Sequence, residues 1–126
     1  MDNKKKILII DDEKELVQSI MVRLKASGYD VITAADGKLG VDTVRAENPD
    51  LVLLDVIMPN LDGIETLQQI KQISRETIVI MITAFGSMKT ALECMQLGGY
   101  DYIAKPFDIN ELGRKINALV EKITES

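Results

Sequence analysis

Leu51-Val52-Leu53-Leu54-Asp55 sets four aliphatic side chains in a row and closes on a carboxylate. A strand with one wet face would alternate, whereas an unbroken aliphatic run suits a parallel strand covered by helices on both sides. Working outward, Lys6-Ile7-Leu8-Ile9-Ile10 and Thr77-Ile78-Val79-Ile80-Met81-Ile82 repeat the same near-continuous pattern. Asp30-Val31-Ile32-Thr33 and Asp101-Tyr102-Ile103-Ala104 are more polar, as expected of strands nearer a sheet edge. The five segments begin 21 to 26 residues apart, close to the length of one βα unit.

Helical periodicity fills the gaps. Leu16, Val17, Ile20, Met21 and Leu24 mark a first helix, stopped at Ser27-Gly28. Leu39, Val41 and Val44 mark a second that ends before Pro49, and Ile64, Leu67, Ile70 and Ile73 a third. Ala91, Leu92, Met95 and Leu97 mark a fourth, stopped by Gly98-Gly99. Asp108 is placed to cap the fifth, with Glu111 three residues on as a capping box and Leu112, Ile116, Leu119, Val120 and Ile123 along one side. The order is therefore β-α repeated five times. Right-handed crossovers then place helices on both faces of a parallel sheet, and ligands of such sheets bind beyond the carboxyl ends of the strands.

At 126 residues the chain suffices for one hydrophobic core, and one domain over 1–126 is expected, with no linker or low-complexity tract. Fifteen basic against twenty acidic residues leave a net charge of −5, which disfavours a general nucleic-acid face. Lys4, Lys5 and Lys6 read as solubilising edge charges. No apolar run reaches the roughly 20 residues of a membrane span, and Asp11, Asp12 and Glu13 interrupt the only run that could imitate a signal peptide. Histidine is absent and Cys94 is the sole cysteine, so imidazole zinc sites, a Ser-His-Asp triad and an intrachain disulfide are excluded. A reducing, cytoplasmic compartment is expected.

The chemistry must then come from carboxylates, hydroxyls and lysines. Asp11 and Asp12 follow the first strand, Asp55 the third, Thr83 the fourth, and Lys105-Pro106 the fifth. Taken singly, such carboxylates are more often helix caps, and a lone Thr or Lys in a loop is usually solvated. The fold brings them into one crevice. Clustered carboxylates repel one another and resist burial unless a cation offsets both effects, and oxygen-only donors point to Mg²⁺ or Mn²⁺. A hydroxyl and an ammonium beside that cation suit the oxygens of a phosphoryl group. No GxxxxGK[ST] segment is present, so a nucleotide P-loop is excluded. Asp55, on the most apolar strand, is the sharpest candidate for a carboxylate nucleophile.

Four segments carry a specific resemblance: ILIIDDE (7–13), PDLVLLDVIMPNLDG (49–63), MITAFGS (81–87) and GGYDYIAKPFD (98–108). Over essentially its full length the chain resembles the receiver (CheY-like) domain of two-component response regulators. The resemblance implies a doubly wound α/β fold, a flavodoxin-like three-layer sandwich of five parallel strands in the order 2-1-3-4-5 with five helices. It also implies Asp55 as phospho-acceptor, Asp11 and Asp12 as the Mg²⁺-organising pair with Asp12 the direct ligand, and the backbone carbonyl of Ile57 completing the protein ligands. Thr83 matches the switch hydroxyl, Lys105 the phosphoryl-binding lysine, and Pro106 the residue that follows it through a cis bond. Tyr102 corresponds to the aromatic that fills the space Thr83 vacates, changing the face of helix 4, strand 5 and helix 5. Its structural alternative is a half-buried strand aromatic packed on a helix.

Several further expectations follow from that resemblance. The donor is a sensor histidine kinase or histidine phosphotransfer protein, and the recipient of the signal is a target protein or a C-terminal output domain. The chain is expected to be monomeric when unphosphorylated, with dimerisation through the fourth and fifth helices on phosphorylation. It catalyses its own phosphorylation and slow dephosphorylation without being a turnover enzyme. Met1 before a short polar leader and a charged end favour a stand-alone protein over a receiver cut from a longer one. Pro59, Asn60 and Gly63 shape the loop after Asp55, Gly86 and Ser87 cap the fourth helix, and small Ala84 leaves a donor access to Thr83. Ile57 and Phe85 are apolar and cannot orient a hydrolytic water, so slow self-dephosphorylation is expected. Gly99 stands where the family commonly has Ala and should loosen that turn. Two other classes stay open: a binding module working without phosphorylation, and a haloacid-dehalogenase-like phosphatase, which Ile57 disfavours by occupying the position of that family's acid/base aspartate.

Overall fold

The structure, a computed structural model, describes residues 4–56, 63–84 and 88–125. Five strands alternate with five helices: β1 (Lys6–Ile10), α1 (Lys14–Ala26), β2 (Asp30–Ala34), α2 (Gly37–Glu47), β3 (Leu51–Asp55), α3 (Gly63–Ile73), β4 (Ile78–Ala84), α4 (Met88–Gln96), β5 (Asp101–Lys105) and α5 (Ile109–Glu125). All pairings are parallel and the strand order is β2-β1-β3-β4-β5. The aliphatic strands β1, β3 and β4 are central, and the two more polar ones take the edges, as their composition requires.

Successive strand residues point to opposite faces, which sorts the aliphatic runs into two cores. Leu8, Ile10, Val52, Leu54, Val79 and Met81 face Val41 and Val44 of α2, Leu67 and Ile70 of α3, and Cys94 of α4. Ile7, Ile9, Leu51, Leu53, Ile80 and Ile82 face Ile20 and Leu24 of α1 and Leu112, Ile116 and Leu119 of α5. Each fully buried Ile, Leu or Val of the strands contributes about 1.5–3 kcal/mol of transfer free energy, which is why the runs must be covered twice. No helix of the described residues is long and apolar enough to cross a membrane.

Helix ends follow local chemistry. Gly28, at φ +95°, turns the chain out of α1, and Asn48, at φ 47°, closes α2 before Pro49. The Asp36 carboxylate accepts the Leu39 amide at 2.8 Å to start α2. Asp108 starts α5 as expected, accepting from the Asn110 amide at 2.7 Å, but no return bond from Glu111 completes a capping box among the described residues.

Three expectations about packing are corrected. Leu39 is 50% exposed, and α2 instead buries Gly37 and Gly40 beside Val41 and Val44. A Cβ on Gly40 would lie 2.3 Å from Ile10 Cδ1, so this glycine lets the helix approach the sheet closely. On α4, Leu92 (55% exposed) lies outside, as does Leu97 (37%) just past the helix end, while Ala91 and Cys94 are fully buried. Leu92 is one step, about 100°, around the helix from Ala91, and the small face wins because it sits against the sheet. Gly99 does not loosen its turn. Met81 fills the space a Cβ would take, with its sulfur 2.5 Å and the Cys94 carbonyl oxygen 2.9 Å from that position.

Candidate functional site

Parallel register places the carboxyl ends of β1, β3, β4 and β5 on one rim, and Asp11, Asp12, Asp55, Thr83 and Lys105 all fall there or beside it. Asp11 follows β1 directly, Asp55 is the last residue of β3, and Thr83 and Ala84 belong to the end of β4 instead of following it. Lys105 is the last residue of β5, opposite Ala84. Because β1 and β3 are neighbours, Asp11 and Asp55 stand side by side, and their side chains are 0% and 5% exposed. Asp12 lies outward of them, exposed. One carboxylate oxygen from each of Asp11, Asp12 and Asp55 lies within 4.8 Å of the others.

Lys105 crosses this rim to reach the acids. Its Nζ donates to Asp55 Oδ2 at 3.2 Å, lies 3.5 Å from Asp11 Oδ2, and is bonded to Glu13 Oε1. The approach to Asp11 is Coulombic only. Asp11 Oδ1 accepts the Glu13 amide at 2.9 Å, but Oδ2 is buried without a hydrogen-bond partner among the described residues. Burial pushes the Asp11 carboxyl up to about 6, helped by the charges of Asp55 and Glu13 and opposed by the Glu13 amide and Lys105. Burial pulls the Lys105 ammonium down, yet the bond to Glu13 and the charges of Asp11 and Asp55 outweigh it, and the net displacement is upward.

This donor set fits a hard divalent cation. An orphaned buried carboxylate oxygen and two further carboxylates within reach supply the oxygen ligands Mg²⁺ and Mn²⁺ favour, and neutralising them would remove both burial and repulsion costs. Ile57, whose carbonyl was expected to join them, lies outside the described residues, as do Phe85, Pro59, Asn60, Gly86 and Ser87. Gly63 opens α3 where a Cβ would lie 2.4 Å from Val56 Cα, so only glycine lets α3 start against the chain just past Asp55.

Thr83 is buried, opposite Ala104 and two residues beyond the Met81–Tyr102 pair. It shares a sheet face with Tyr102, which is partly buried against the core that includes Met81, Cys94 and Met95. Pro106 follows Lys105 through a cis peptide bond, and Ala84, Lys105, Pro106 and Phe107 line a cleft of about 410 Å³ with Glu13 and Leu16. Glu13 is the residue that sequence reasoning passed over. A third consecutive acid after β1, at the start of a helix where Glu caps poorly, was the available signal.

Comparison with known proteins gives a consistent picture. A family profile described as "Response regulator receiver domain" matches residues 7–117. The probable transcriptional regulator ycf27 of Cyanophora paradoxa is 41% identical over 120 residues, covering 95% of this chain and 50% of that protein. The alkaline phosphatase synthesis transcriptional regulatory protein PhoP of Bacillus subtilis is 39% identical over 118 residues, covering 94% and 49%. The chain thus spans about half the length of the curated relatives it matches. Among solved structures, a CheY-like response regulator receiver domain protein from Methanospirillum hungatei superposes with a TM-score of 0.90 at 30% identity, covering 98% of this chain and 100% of that one. The receiver domain of NtrX from Brucella abortus gives 0.85 at 32% identity, covering 91% and 98%.

Proposed function

The chain belongs to the response regulator receiver domain family, and on that premise we propose that it is a phosphorylation-dependent switch with Asp55 as the acceptor. The observation that carries this reading is the convergence of Asp11, Asp12 and Asp55 within 4.8 Å, with Lys105 Nζ 3.2 Å from Asp55. The donor is the phosphohistidine of a sensor histidine kinase or histidine phosphotransfer protein. An Asp55 carboxylate oxygen forms the new bond to phosphorus as the phosphorus–nitrogen bond breaks, and the electron pair leaves with the imidazole nitrogen. Asp11, Asp12, Asp55 and the carbonyl of Ile57 would hold Mg²⁺ or Mn²⁺, which when bound neutralises charge on the transferring oxygens. Lys105 exchanges its carboxylate partners for a phosphoryl oxygen.

Thr83 turns its hydroxyl to another oxygen of the acyl phosphate, and the Tyr102 ring moves into the space behind it. Both lie on the face covered by α4, so the local charge change is read out at α4, β5 and α5 as a two-state repacking. Ala84 keeps the approach open, and Ile57 and Phe85 leave water without a hydrogen-bonding guide, so the acyl phosphate turns over slowly. Ile57→Asn or Phe85→Glu should shorten its lifetime; no shortening in either overturns that part. One receiver unit, monomeric until phosphorylated and able to pair through α4 and α5 afterwards, then acts on a target protein or an output domain, with no direct nucleic-acid contact of its own.

Intact mass after incubation with Mg²⁺ and acetyl phosphate tests the reading. One added phosphoryl group is expected, lost on chelation and absent in Asp55→Ala. No gain under conditions that label another receiver would favour a module that binds its partners unphosphorylated.

A further inference from the structure

Glu13 holds the N-cap position of α1, yet its carboxylate makes no capping bond. It is bonded instead to Lys105 Nζ. Asp, Asn, Ser and Thr cap well because their short side chains reach the first helical amides. A Glu turned away from the helix forgoes that contribution for a single contact across the rim. The other two anions near Lys105 are Asp55 Oδ2 at 3.2 Å and Asp11 Oδ2 at 3.5 Å, the groups assigned above to the acyl phosphate and the cation. Once both are engaged, Glu13 is what remains of the three. Its side chain is 58% exposed, so water can replace Lys105 there at little cost, unlike at the two buried aspartates.

We propose that Glu13 is a positioning residue, a latch that holds Lys105 at the mouth of the site in the unmodified chain and must release it before Lys105 can bind a phosphoryl oxygen. The latch rests on the acceptor reading of Asp55. Breaking the Glu13–Lys105 bond on the way to the phosphorylated state adds to the barrier, so losing Glu13 speeds phosphorylation. The exposed carboxylate also repels an anionic donor, with the same sign. Two variants separate these effects. Glu13→Ala removes both. Glu13→Asp keeps the charge on an arm one methylene shorter, and an Asp at this position can accept an α1 amide, which draws it from Lys105 and supports the helix.

The rate of mass gain with Mg²⁺ and acetyl phosphate would be followed for the parent chain, both variants and Asp55→Ala. In this reaction an Asp55 oxygen bonds to phosphorus while the phosphorus–oxygen bond to acetate breaks, and acetate leaves with the electron pair. The Lys105 ε-methylene resonance would be recorded in parallel on metal-free, ¹³C-lysine-labelled protein. Both variants should react about two- to fivefold faster than the parent, the range expected for an exposed ion pair, and both should move the Lys105 resonance in the same direction. Equal rates in parent and variants, or an unmoved resonance, overturn the latch and leave the acceptor reading standing. Acceleration in Glu13→Ala alone reduces Glu13 to a remote charge and also overturns it. Absence of mass gain in every chain overturns the acceptor reading and the latch together.

Discussion

The two rims of the sheet are built from the same residue types and treat them in opposite ways. At the amino rim, several charges and hydroxyls are paired off. Lys6 Nζ meets Glu47 at 3.1 Å, and the Lys6 amide donates to Asp50 Oδ2 at 2.8 Å. Lys71 Nζ donates to the Arg75 and Thr77 carbonyls at 2.8 Å each, and Thr77 Oγ1 to Ser74 Oγ at 2.8 Å. At the carboxyl rim, Asp11 and Asp55 are buried side by side, one Asp11 oxygen lacks a hydrogen-bond partner among the described residues, and Lys105 is shared among Asp11, Glu13 and Asp55. The pairs at the amino rim are completed within the fold itself. The carboxyl rim holds charge that the fold leaves unbalanced and that a cation and an anion could balance.

Asp11→Asn should give the largest effect and have the unusual sign. A carboxyl raised from 3.8 to about 6 favours the folded chain only while protonated, so its contribution is full below pH 3.8 and lost as the pH rises to about 6. The variant should therefore be more stable than the parent by roughly 1–3 kcal/mol at pH 7, with the difference closing below pH 4. Denaturant midpoints at the two pH values measure it, and a destabilised variant at pH 7 would break the contrast between the rims. Mg²⁺ should reverse the ranking. A cation at a hundred times its dissociation constant adds about 2.7 kcal/mol to a chain that binds it, and Asp11→Asn should gain far less in the same titration.

Gly99→Ala tests the amino rim by overpacking. Its Cβ would meet Met81, which can move, and the Cys94 carbonyl, which cannot easily do so, at a cost of about 1–3 kcal/mol. An unchanged melting temperature would mean that the α4–β5 turn is looser than its packing indicates. Lys71→Met removes two carbonyl contacts and should cost about 1 kcal/mol while leaving the rate of mass gain with acetyl phosphate unchanged. A changed rate would tie the two rims together. Lys6→Ala removes an exposed pair and should cost no more than about 0.5 kcal/mol, falling further in high salt.

Much of the fold was legible because the strand runs are extreme. Ile7 to Ile10 and Leu51 to Leu54 have no polar face, so only a doubly covered parallel sheet can hold them, and all eight are buried. The helices were legible in position and less so in orientation. Leu39, Leu92 and Leu97 looked like core positions because hydropathy ranks Leu above Gly, Ala and Cys. What faces the sheet on α2 and α4 is decided instead by how closely each helix can approach, and there Gly40, Ala91 and Cys94 fit where a leucine would not. Gly99 follows the same logic: an empty position in the sequence is a filled one beside Met81.

The site divides in the same way. That Asp11, Asp55, Thr83 and Lys105 should meet was evident from the sequence alone, since each stands at or just beyond the end of a strand and parallel strands bring their ends to one rim. Which of them is buried, that one Asp11 oxygen has no hydrogen-bond partner among the described residues, and that Glu13 takes hold of Lys105 came only from the tertiary structure. The reason is one of range. Strand and helix patterns repeat every two to four residues and can be read along the chain, whereas the Glu13–Lys105 contact joins residues 92 positions apart. Its existence depends on sheet register and on the direction a side chain takes at a helix start, and neither is written in any local period.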